Sequence, residues 1–527
     1  MKKINIFLLF LLLLHLLLLI GLQFTAWPEM TLWPYLVIKG LLPYKDIAIA
    51  HNPLLIFILA GYYKIFGLSL VNLKLFAWGL ILITDCLIWF ISLKLTKSYL
   101  FSFLSLIFYI LWQPYFEGNG LWFDLALTPL ALLIFYLLWR QKFFWAGLVL
   151  GISILVKQTA VWFLVPVIWE IWVVSPPSLK LWRVKEMGKN ICLLAFGVVT
   201  PLIGLIVYLL FTGTLGDFYF WTIKFGIFYL PHASGQVELP TLKQLISLSI
   251  PFASILFILI AFILRVIKIK NQNNRLILIL LIWSITASLG VLPRWSNFHF
   301  QPALPFLAII SGLCVYYNRL AENLAINGGD ESKRLKLVKG PPDEKLISRS
   351  FPQDSFKLAK ITLGFQPREA YINILYKRHR IMILILLFFV TIGTIYMQTR
   401  FYRLNWHKAD RFFEKETLET AAWLKRNTQP NERIFILNSW DHLYALSDTL
   451  PVTDPWMPTL PWYLEYPGIQ DKIVADLKQN KPNLLVFEPY KESGLGSYRP
   501  AEIDKLIKEN YKLKEMIGNR FWVLELL

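Results

Sequence analysis

Apolar residues run along this chain in blocks long enough to cross a bilayer as helices, broken by short polar or aromatic stretches. The blocks predict eleven membrane-spanning helices, at 4–24, 73–94, 98–116, 123–139, 143–157, 159–174, 190–211, 246–266, 276–292, 300–317 and 381–397. Segment 53–66 is apolar but reaches only about 21 Å at ~1.5 Å per residue, and Tyr62, Tyr63 and Lys64 make it amphipathic, so it is expected to lie along the membrane surface. Past Gln398 the pattern changes. ETLETAAWLKRN, IQDKIVADLKQN and AEIDKLIKEN have helical periodicity, whereas ERIFIL, NLLVFE and FWVLELL read as short strands. The expected architecture is a polytopic α-helical membrane protein, residues 1–400, carrying a soluble C-terminal α/β domain, residues 401–527. A mixed-charge, Gly- and Pro-containing stretch at about 318–380 reads as a cytoplasmic insertion.

Charge sets the orientation. Lys and Arg gather in alternate loops: Lys2 and Lys3, Lys94 and Lys97, Arg140 and Lys142, then the runs 180–189, 265–275 and 319–380. Loops that accumulate cations stay in the cytoplasm. The amino terminus is therefore expected inside, with the loop after the first span and the tail both outside. The leader MKKINIFLLFLLLLHLLLLIG reads as a retained anchor, since it lacks an A-x-A cleavage signal. The tail past Gln398 balances its charges, so the net +19 belongs to the membrane region and its loops. Cations dispersed as topology signals give no reason to expect nucleic-acid binding.

Composition agrees: 527 residues, 56% hydrophobic and only 17% charged, lie outside the range of soluble domains. Cys86, Cys192 and Cys314 all fall in predicted spans, which argues against a disulfide framework or a cysteine zinc site.

The candidate chemistry sits in the outward loops. Glu29, Asp46 and His51 fall in the first, among Trp27, Trp33, Tyr35 and Tyr44; Glu117 and Asp124 fall in the second; Lys157 ends the apolar run WAGLVLGISILVK; Arg294 and His299 stand near the last. Each has a plain structural alternative as an interfacial charge, turn residue or helix start. Lys157 is the hardest to explain that way, because a charge at membrane depth is costly unless paired or snorkelled. Carboxylates and cations converging over one outer cavity suit sugar transfer from a polyprenyl phosphate. A carboxylate takes the acceptor's proton, and cations neutralise the departing phosphate. Such a donor needs no metal, although the carboxylates could hold a divalent ion. The aromatic loop 212–244 reads as an interfacial segment or a lid. A transporter or flippase of a lipid-linked substrate is the rival reading, disfavoured because the ionisable groups lie on one side only. A receptor whose tail binds a ligand is a third.

At these residues the chain resembles the GT-C superfamily of lipid-dependent glycosyltransferases, in the branch of protein O-mannosyltransferases and aminoarabinose transferases. The resemblance runs through GLLPYKDIAIAHNPLLIFILAGYYKIFG, WAGLVLGISILVKQTA, RWSNFHFQPALPFLAIISG and the tail beginning ETLETAAWLKRNTQPNERIFIL. It implies a catalytic acid in the first external loop, where the family usually has Asp. Here the text is WPEM, which makes Glu29 the nearest match and leaves Asp46 as its competitor. It further implies that the second-loop acid is Asp124 or Glu117 and that Lys157, Arg294 and His299 line the carrier-phosphate site, with His51 beside them. The partners it implies are a polyprenyl-phosphate sugar donor and a protein, lipid or glycan acceptor.

Overall fold

A computed structural model describes residues 2–174, 181–233, 240–244, 273–292, 295–326, 388, 391–490 and 494–527. The expected span at 246–266, most of the insertion at 318–380 and the candidate Arg294 lie outside the described residues.

The apolar blocks are helices. In chain order they are α1 (Lys2–Gly21), α2 (Glu29–Ile38), α3 (Leu54–Phe66), α4 (Leu70–Thr96), α5 (Tyr99–Trp112), α6 (Phe123–Trp139), α7 (Phe143–Val156), α8 (Leu164–Val174) and α9 (Leu181–Thr212). Further helices follow at Asn273–Ser288 and Leu304–Ile326. On length and composition, Leu70–Thr96 and Met187–Thr212 suffice to cross a membrane, and shorter apolar helices accompany them among the described residues. The 53–66 segment is helical but only 13 residues long. Where the sequence pattern predicts one span over 98–116, α5 stops at Trp112; the chain then turns through Glu117, whose φ of 55° is left-handed.

Close packing and polar pairs tie the helices together. A Cβ at Gly147 would collide with the Leu194 backbone, and one at Gly197 with that of Phe144, so α7 and α9 approach backbone to backbone. Asp85 of α4 meets His15 of α1 at 2.8 Å, both fully buried. Glu170 of α8 accepts from Trp283 Nε1 at 3.4 Å. Each pair answers the cost of an ionisable group among helices with an interhelical partner.

The tail forms a mixed five-stranded sheet in the order β2-β1-β3-β5-β4, from β1 (Arg433–Leu437), β2 (Leu450–Pro451), β3 (Leu484–Phe487), β4 (Tyr511–Ile517) and β5 (Phe521–Leu526). β1 runs parallel to β2 and β3, and β5 runs antiparallel to β3 and β4. Helices Lys415–Asn427, Ile469–Asn480 and Ala501–Asn510 match the periodic runs. β4 is a strand the sequence pattern does not reveal. It lies at the sheet edge with its interior positions exposed, and Lys512 and Lys514 pair with Glu525 at 3.4 and 3.2 Å. Edge strands tolerate such charge because it discourages further pairing.

Backbone and side-chain bonds sew this sheet unit to the first loop. Ala48 N donates to Trp456 O at 2.8 Å and Trp456 N to Asp46 O at 2.9 Å. Lys39 pairs with Asp448 at 2.7 Å, and Tyr35 donates to Thr449 O at 2.9 Å. The aromatic stretch Tyr219–Tyr229 is π-helical, and its Phe225 and Tyr229 pack 4.7 Å from Tyr463 and Tyr466 respectively. The aromatic density seen in that loop thus meets the C-terminal unit.

Candidate active site

Three separate helix ends bring their charges to one point. Asp124 lies in the first turn of α6, where the helix dipole favours an anion. Lys157 caps α7 in extended conformation (φ −152°, ψ 131°), which carries its side chain off the helix end. His299 sits in a short 3-10 turn, Asn297–Phe300, before the helix at Leu304. Lys157 Nζ donates to Asp124 Oδ2 at 2.7 Å, and His299 Nδ1 lies 3.0 Å from that oxygen and 3.2 Å from the ammonium. In one tautomer Nδ1–H donates to Asp124; in the other the ring accepts from Lys157. Exposures of 1%, 3% and 8% for Asp124, Lys157 and His299 make this a desolvated cluster. A buried cation with its carboxylate on one side can receive an anion on the other at little further desolvation.

The first loop is folded over the same place. Asn119 donates to Leu19 O, Leu22 O and Gln23 O at 3.0–3.1 Å, closing the end of α1, and accepts from Trp78 Nε1 at 3.0 Å. From there α2 starts at Glu29, behind Pro28. Glu29 and Trp33, four residues apart, share a helix face. The Trp33 ring is 6.3 Å from His51, and His51 is 4.6 Å from Phe123, next to Asp124. Gln158, next to Lys157, donates to Ala50 O at 2.9 Å. Burial first, then the charge of Lys157, pushes the His51 imidazole down to about 3. His51 is therefore neutral at ordinary pH and can give a hydrogen bond, not a charge, to a phosphate.

Two other candidates do not join this group. Asp46 Oδ2 accepts from Leu42 N at 2.7 Å, and Asp46 N returns a bond to Leu42 O at 2.9 Å, so its carboxylate closes a turn. Glu117 stays exposed at its left-handed turn, with Arg411 as its neighbouring charge. Among the described residues no three His, Cys, Asp or Glu side chains gather as metal ligands.

The structure adds a residue that sequence reasoning passed over. Glu29 faces the C-terminal unit, where its charge acts on Asp441 and Tyr463. Burial first, then Glu29, pushes the Asp441 carboxyl well above the usual carboxylate range. Asp441 lies in NSWDH, at the carboxyl end of β1, the edge from which parallel strands commonly present functional loops. That position was the available signal.

No protein-family model matches the chain, and no curated protein matches it in sequence. Two crystal structures of ArnT from Cupriavidus metallidurans, an aminoarabinose transferase, match nearly end to end. The one bound to undecaprenyl phosphate gives a TM-score of 0.56 at 12% identity, over 99% of this chain and 98% of that one. The apo structure gives 0.55 at 12% identity, over 99% and 97%. The chain has a GT-C glycosyltransferase fold. The fold is that of a polytopic helical membrane protein. At this identity the likeness speaks for the GT-C fold and not for a particular sugar or acceptor.

Burial of neutral histidines has a consequence for stability. His442, packed 4.7 Å from Phe413, is pushed down to about 3 by burial, as His51 is. The unfolded chain protonates both near ~6.5 while the fold does not, so each histidine withdraws up to about 1.4 kcal/mol of stability per pH unit as pH falls from ~6.5 towards 3. Asp441, whose carboxyl burial pushes up in the fold, acts in the opposite sense above ~4 and offsets part of this loss. The thermal unfolding midpoint of the detergent-solubilised protein is expected to fall between pH 6.5 and 4.5. The gap between wild type and His442→Phe should shift in favour of the variant over that range; a constant gap would contradict a neutral His442.

Proposed function

We propose that this protein transfers a glycosyl group from a polyprenyl-phosphate carrier to an acceptor, on the extracytoplasmic side of the membrane. The observation that carries the reading is the desolvated Asp124–Lys157–His299 cluster under the first loop, within a fold whose ArnT example was crystallised with undecaprenyl phosphate. The sidedness rests on the distribution of Lys and Arg.

In the proposed step Glu29 takes a proton from the acceptor's hydroxyl or amine, and the freed electron pair attacks the anomeric carbon. The bond from that carbon to the phosphate oxygen breaks, and polyprenyl phosphate leaves with the electron pair. A single displacement inverts the anomeric centre. Lys157 meets the charge growing on the leaving phosphate, and His51 and His299 offer it N–H groups. Asp124 is a positioning residue: its single oxygen holds both Lys157 and His299. Asp46 and Glu117 are left outside this assignment.

The experiment follows both halves of the donor. Purified protein in nanodiscs, given sugar-labelled undecaprenyl-phosphate donors and candidate acceptors, should generate free undecaprenyl phosphate and a labelled acceptor. A flippase would move the lipid and leave its sugar–phosphate bond intact.

A further inference from the structure

The C-terminal unit reaches into the region of Glu29 with more than bulk. Trp440 packs 4.6 Å from Phe412, Phe412 packs 5.3 Å from Trp27, and Trp27 packs 5.3 Å from Trp122, which neighbours His51 at 6.1 Å. This aromatic row joins the NSWDH segment to the Asp124–Lys157 cluster. Along it, buried polar atoms stand without hydrogen-bond partners among the described residues: Asp441 Oδ1, Trp440 Nε1, Trp33 Nε1 and His51 Nδ1. A buried polar group left unpaired costs about 1–3 kcal/mol, and several along one row of rings call for a ligand or solvent that satisfies them. Donors and acceptors set among aromatic rings match a polyhydroxylated ring, whose hydroxyls both give and take hydrogen bonds and whose C–H faces stack on indoles.

We infer that NSWDH forms the sugar subsite of the donor site, with Asp441 and Trp440 hydrogen-bonding hydroxyls of the glycosyl group while Lys157 holds its phosphate. The inference rests on the glycosyl-transfer reading above and names the part of the substrate that the C-terminal unit binds. It gives that unit a role in recognition rather than cover alone. It also separates the two carboxyls that meet there: Asp441, kept protonated by burial and by Glu29, donates to the sugar, and Glu29 stays available as base.

The test compares two ligands on the full-length protein in nanodiscs by native mass spectrometry: bare undecaprenyl phosphate, and undecaprenyl phosphate bearing a panel of hexoses and pentoses. In wild type at least one glycosylated carrier is expected to bind about tenfold or more tightly than the bare one. Asp441→Leu, which removes donor and acceptor at similar volume, and, independently, Trp440→Phe, which keeps an aromatic ring and removes the N–H, should remove most of that preference while bare-carrier affinity changes less than about threefold. An unchanged preference in both variants, or an equal loss of bare and glycosylated carrier, overturns the subsite. If wild type binds every carrier alike, the subsite fails while a carrier-binding protein stands; if it binds none, the transfer reading itself fails.

Discussion

Lys157→Met is expected to lower sugar transfer by at least about a hundredfold, the scale on which loss of one charge stabiliser in a desolvated site is felt. It should also destabilise the protein by up to about 3–5 kcal/mol, because it takes the ammonium from Asp124 at 1% exposure and leaves that carboxylate only the His299 ring. Asp124→Asn should do the same from the other side. The informative variant is the double one. Removing both charges of a buried pair is often close to neutral for stability. Asp124→Asn with Lys157→Met should therefore recover most of the unfolding midpoint and none of the transfer. Were the pair only a structural tie, activity would return together with stability.

A second large effect separates the two first-loop acids. Glu29→Gln keeps the shape of the side chain and removes the base, so transfer should drop by at least about a hundredfold, as expected for loss of a general base. Asp46→Asn touches a turn. Its carboxylate accepts from Leu42 N, a bond worth about 1 kcal/mol, and an amide oxygen can still accept it. Transfer by Asp46→Asn should stay within a few-fold of wild type once it is normalised to folded protein. The reverse ranking, read from initial rates with one labelled donor, would move the catalytic role from α2 to the turn after it.

The helices were legible because a bilayer demands long apolar blocks, and the text supplies them within Leu70–Thr96 and Met187–Thr212. Lys157 stood out for a reason that survives in one dimension: a cation at the end of an apolar run must be answered by something. What answers it was not legible. Asp124 and Glu117 read alike, as acids flanking a helix start, and only the meeting of α6, α7 and the turn before Leu304 makes one a buried partner and leaves the other at the surface. Asp46 was ambiguous because turn closure and catalysis ask for the same side chain. Asp441 was hidden differently. It lies in soluble-looking text, more than four hundred residues from Glu29, and comes near that acid only because the sheet seats the end of β1 above the first loop. β4 escaped because an exposed edge strand has no apolar alternation to find.

The central claim is that this site breaks the sugar–phosphate bond of a polyprenyl carrier. The most direct test is a mole-for-mole balance in nanodiscs, counting free undecaprenyl phosphate formed and sugar gained by the acceptor from a doubly labelled donor. The expected result is one carrier released per sugar transferred in wild type, with both products absent in Glu29→Gln. Intact donor recovered after prolonged incubation of folded wild type with every sugar and acceptor class supplied, or equal turnover in Glu29→Gln, would contradict it.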